Sequence, residues 1–76
     1  MTLKELAGEY RAGAAALKTR AAELRIRLKS ERGSMQRLRL ERRIDMLLSM
    51  YRDARDTAAK LEHYYDRGER RGRDAL

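Results

Sequence analysis

The sequence predicts an all-α fold: an antiparallel two-helix hairpin of coiled-coil type that associates further into a four-helix bundle. Three observations carry that reading. The 76 residues contain no Pro, Cys, Trp or Phe, while 41% are charged and 42% belong to the hydrophobic class, much of it Ala. Such a composition favours long helices. Small or apolar residues recur at alternating steps of four and three along two long stretches, the signature of a coiled-coil seam. A single turn-like cluster, Ser30-Glu31-Arg32-Gly33-Ser34, separates them.

Helix 1 is predicted from about residue 3 to 31. Thr2-Leu3-Lys4-Glu5 fits a capping box, in which the Thr2 hydroxyl accepts the Glu5 amide and the Glu5 carboxylate reaches back to that of Thr2. The seam runs Leu3, Ala7, Tyr10, Ala14, Leu17, Ala21, Leu24, Leu28. Gly8 and Gly13 each cost up to about 1 kcal/mol relative to Ala. Gly13 is a candidate for close backbone approach. The turn occupies 32–34, with Gly33 available for the left-handed conformation that ends many helices and Ser34 placed to cap the next one.

Helix 2 is predicted from about 35 to 66, with the seam Leu40, Ile44, Leu47, Tyr51, Ala54, Ala58, Leu61, Tyr65. Folding at Gly33–Ser34 makes the seams mirror images. Leu28 meets Leu40, Leu24 meets Ile44, Ala21 meets Leu47, and so on outward to Leu3 with Tyr65. Every layer joins an a position to a d position, and Ala14–Ala54 is the expected closest approach. In this register Lys4 nears Glu62 and Arg25 nears Glu41, whereas Arg11–Arg55 and Arg27–Arg43 bring like charges together. The hairpin accounts for residues 1–66. Residues 67–76, charged and interrupted by Gly68 and Gly72, read as a disordered tail.

Five of the sixteen seam residues are Ala, so the hairpin alone buries little. Apolar residues are also left over. Ala12, Ala15, Ala16, Thr19, Ala22 and Ile26 form a second stripe on helix 1, while Met46, Leu48 and Met50 flank the seam of helix 2. The stripe can be read as helix propensity on a solvated face. Alternatively it is a surface on which another helix packs closely. Ile26, Leu48 and the adaptable Met pair favour the second reading and nominate these nine residues as an oligomer interface, with a homodimer the simplest case. Tyr64, off the seam, caps the open end or contacts a partner.

Chemistry is sparse. His63 is the sole His and falls on the predicted outer face, so a solvated side chain is expected there. No Cys exists to complete a metal site, no glycine-rich phosphate loop is present, and Ser30, Ser34 and Ser49 lack triad partners. The sequence therefore predicts no enzyme, cofactor or small-molecule substrate. Charge carries more information. Residues 18–43 hold ten Lys/Arg against three Glu, which is the whole net charge of +7, because both flanking segments are balanced. Arg25, Arg27, Lys29, Arg32, Arg37, Arg39, Arg42 and Arg43 are candidate contacts for an anion or an acidic partner, either another protein or nucleic acid bound non-specifically. The competing reading is a solvated end that promotes solubility. A helix-turn-helix is excluded by the helix lengths, and base stacking by the lack of aromatics at the tip. No apolar run reaches the roughly 18–20 residues that span a bilayer, and the N-terminus lacks a signal peptide's order, so a cytoplasmic protein without membrane partners is expected.

The segments Met1-Thr2-Leu3-Lys4-Glu5-Leu6-Ala7, Glu9-Tyr10-Arg11 and His63-Tyr64-Tyr65 resemble short uncharacterised helical proteins carried on bacterial mobile elements. The resemblance implies a bacterial cytoplasmic protein working beside DNA-handling machinery. It brings no activity and no functional residue.

Overall fold

The computed structural model describes the backbone of residues 1–74 and the side chains of residues 1–64. It consists of two helices, α1 (Leu3–Ser30) and α2 (Ser34–Asp74), with no strand among the described residues. They lie side by side in a rod 65 Å long and 16 × 15 Å across. The all-α hairpin predicted from the two seams is the fold observed.

The mirrored register accounts for the core; its outermost layer, Leu3 with Tyr65, involves a side chain outside the described residues. Among the described residues the six buried hydrophobics, Ala7, Ala14, Ala21, Leu24, Ile44 and Ala58, all belong to the seams. Ala21, Leu24 and Ile44 form one cluster, against which Leu28, Leu40, Leu47 and Leu48 pack, so the three layers nearest the turn assemble as the mirrored numbering requires. Beyond them the buried residues, among those described, are Ala alone. Tyr10 remains 41% exposed although it faces the fully buried Ala58. In a rod two helices thick, a ring can cover its small partner while nothing covers the ring.

The helix ends correct several expectations. Thr2 caps α1, its hydroxyl accepting the Glu5 amide at 3.1 Å, but the reciprocal bond from the Thr2 amide to Glu5 does not form. Gly33 does not adopt a left-handed conformation: no residue with positive φ occurs among the described residues. Instead α1 ends at Glu31 in extended backbone (φ −81°, ψ 127°), and the Gly33 carbonyl accepts the Arg37 amide at 2.9 Å. Gly33, rather than Ser34, is thus the N-cap of α2. The freed carbonyls of α1 are satisfied from the other helix, because Arg37 Nη1 donates to the carbonyl oxygens of Leu28 and Glu31, both at 2.9 Å. A Glu31 carboxylate oxygen accepts the Gly33 amide at 3.2 Å.

Gly13 marks no close approach, since a Cβ built there meets nothing within 4 Å. Helix α2 also continues through 67–74, the segment expected as a tail; Ala75 and Leu76 lie outside the described residues. Two glycines cost about 1 kcal/mol each in a helix, yet each residue added to an existing helix gains a hydrogen bond without a new nucleation step. The flanking Arg and Glu are good helix formers. By the register, this segment runs past the start of α1.

Candidate functional site

Outside the seam, each hairpin edge is lined by the residues next to the a and d positions. On one edge stand Lys4, Arg11, Lys18 and Arg25 of α1 with Glu41, Leu48, Arg55 and Glu62 of α2. On the other stand Leu6, Gly13, Arg20 and Arg27 with Arg43, Met50, Thr57 and Tyr64.

The Lys18 edge is polar. Glu62 pairs with Arg11 rather than Lys4, and Arg25 and Glu41 form no ion pair. Helical side chains lean toward their own N-terminus. In an antiparallel pair, Lys4 and Glu62 therefore lean apart, whereas Arg11 and Glu62 lean together one heptad further in. Arg11 holds the Glu62 carboxyl below the usual carboxylate range, through its hydrogen bond and its charge. Tyr51 lies between Lys18 and Arg55, whose charges sit 5.7 and 5.4 Å from the ring centroid, and an open groove of about 340 Å³ runs along these residues. The Tyr51 hydroxyl and then the Asp56 charge raise the Arg55 guanidinium further. Arg11 and Arg55, expected as a like-charged pair, share this groove with their carboxylates alongside.

The Gly13 edge is apolar toward the open end. There an open groove of about 290 Å³ is lined by Leu6, Glu9, Tyr10, Gly13, Leu17 and Ala54. It exists because Gly13 has no side chain and Ala54, opposite, has a small one. Met50 lies one turn from Ala54 and Met46 one turn further, so both belong to this face; they are 47% and 57% exposed. Ala16 also lies on this side, and Tyr64 is exposed near the open end.

The nine nominated interface residues therefore do not make one surface. Ala12, Ala15, Thr19, Ala22 and Ile26 are exposed on the back of α1 and lean toward the Lys18 edge. Ala16, Met46 and Met50 belong to the opposite edge. Leu48 is half-buried against the core cluster. Reading heptad phase together with residue type was the signal that could have picked out Leu6, Tyr10 and Gly13.

At the turn end, Arg25, Arg27, Lys29, Arg32, Arg39, Arg42 and Arg43 are exposed, and among the described residues none of them enters an ion pair; the ion pairs there involve Arg11, Arg20 and Arg55. Arg37, nominated with them, is instead half-buried as the clamp on α1. His63 is exposed. Among the described residues no cluster of three metal-ligating side chains occurs, and no helix is long and apolar enough to cross a membrane. No protein-family model matches the chain, and no curated protein or solved structure shows significant similarity to it.

Proposed function

We propose that this chain is a non-enzymatic, cytoplasmic interaction protein whose hairpin pairs with a second copy along the Gly13 edge to form a four-helix bundle. One observation carries the reading: a groove made by Gly13 and Ala54 lies beside two exposed methionines on the same face of a rod with almost no large buried side chain. Charge selects the arrangement. Two copies with adjacent turn ends would oppose two clusters holding all seven net charges each, whereas antiparallel copies set each basic turn end beside the other's neutral open end. A two-fold axis across the rod near Leu17 then lays Met46 and Met50 of each copy over the other's groove. Such a dimer sets the two turn ends at opposite poles, roughly 50 Å apart at 1.5 Å per residue, each alongside the partner's open end.

Light scattering on the eluting species tests this, with Gly13→Leu as the discriminating variant. A side chain there has open space in the hairpin and removes a helix penalty, so the variant folds at least as well, while its bulk fills the groove. A dimeric parent and a monomeric, helical variant support the proposal. A stably folded parent that stays monomeric at high micromolar concentration contradicts it, and so does a variant that dimerises as well as the parent.

A further inference from the structure

We propose that the turn end is a docking surface for the phosphate backbone of duplex nucleic acid, bound without reading its sequence. The surface is centred on Arg27, Arg39 and Arg43. Arg27 and Arg39 line one groove of about 180 Å³ together with Gln36, Glu31 and Leu40. Arg43 lies one turn from Arg39 on the same edge, across the seam from Arg27. Among the described residues no carboxylate pairs with any of the three, and Glu31, the one acid in the groove, accepts the Gly33 amide. Like charges placed across a groove repel, and an anion seated between them relieves the repulsion.

Three features favour nucleic acid over other anions. Eight of the ten cations in residues 18–43 are Arg, the side chain whose planar fork matches a phosphate bidentately. The cations stand on the best-packed part of the rod, over the core cluster and the Arg37 clamp, so little side-chain scaffolding has to be ordered on binding. The groove contains no aromatic ring, which disfavours stacking on single-stranded bases, and the turn is no base-reading motif. What remains is charge neutralisation by counterion release. Arg27 and Arg43 stand on the same edge as the dimer contact proposed above, so DNA binding by the monomeric Gly13→Leu variant separates this surface from that contact.

Fluorescence anisotropy of a mixed-sequence DNA duplex titrated with the 76-residue chain across a salt series tests the proposal. Binding is expected at low salt, with log K falling against log salt at a slope of about −2 to −3, from roughly 0.9 per phosphate neutralised. A second duplex of unrelated sequence should bind within twofold. Arg27→Glu/Arg39→Glu/Arg43→Glu should abolish binding, and the milder Gln triple should weaken it and flatten the slope; far-UV circular dichroism and light scattering confirm that each variant keeps its helices and oligomeric state. Failure to bind duplex at low salt overturns the proposal. Unchanged binding by a folded triple variant does so too. Polyglutamate displacing the duplex as effectively, charge for charge, as competitor DNA would instead identify the surface as a dock for acidic protein.

Discussion

The two ends of this rod are built from the same seam pattern and do opposite things with it. Toward the turn, large aliphatic side chains meet across the seam, Leu24 with Ile44 and Leu28 with Leu40, and Arg37 ties the end of α1 to α2. Toward the open end the buried positions are Ala7, Ala14 and Ala58, Tyr10 is left partly bare, and Gly13 opens a groove. The end that is well packed by itself carries all the net charge. The end that is poorly packed is neutral, ion-paired and apolar along one edge. A hairpin stabilised from one end can present its other end to a second copy without the two charged poles meeting. Stability and interaction are thus separated along the axis.

The largest expected effect follows from that difference. Leu24→Ala removes a buried side chain from the cluster and should cost about 2–5 kcal/mol. Leu61→Ala, at a half-buried layer of the open end, should cost about 1 kcal/mol. Urea denaturation of both variants at a low, monomer-favouring concentration checks the contrast, and equal losses would erase it. Arg37→Met should come next, losing about 1–3 kcal/mol because two carbonyls at the end of α1 lose a charged donor. Arg39→Met, exposed and unpaired, should leave the denaturation midpoint where it was.

Gly33→Ala sharpens the account of the turn. Its φ is not positive, and an added Cβ meets only the end of the flexible Gln36 side chain. An N-cap Gly replaced by Ala should therefore cost up to about 1 kcal/mol, with Gly33→Ser at least as stable as the parent. A left-handed glycine would make both substitutions distinctly worse in thermal melts.

The smallest effect concerns acid. The folded-state pKa of Glu62 lies below its ordinary value, so the Arg11 contact is stabilising above the unfolded pKa, about 4.3, and is lost as pH falls through the lower folded value. Amide protection factors near Glu62 should fall there, and Arg11→Met should remove that change. The turn end should show no matching change.

The mirrored seams were legible because alternating steps of four and three leave one register that closes every layer, and the buried residues fall on it. Edge contacts were less legible. Pairing Lys4 with Glu62 followed residue level, whereas Arg11 wins because both side chains lean toward their own N-termini. Gly33 suggested a left-handed cap because glycine permits one, but permission is not requirement, and nothing local to the turn encoded the Arg37 clamp. Grouping Ile26 with Met50 as one interface followed residue type. Their heptad phases put them on different faces, and the groove beside Met50 arises from what Gly13 and Ala54 lack. The end of α2 was set near residue 66 because a charged segment interrupted by Gly68 and Gly72 has little to bury, whereas helical backbone runs on to Asp74.

Hydrogen exchange followed at two protein concentrations tests the division of the rod most directly. At low concentration the amides of Leu24–Leu28 and Leu40–Leu47 should be the slowest, while those of residues 7–17 and 54–62 exchange faster. Raising the concentration into the dimer range should slow the second group and leave the first nearly unchanged. Uniform protection along the rod, or protection of the open end that ignores concentration, would contradict the account.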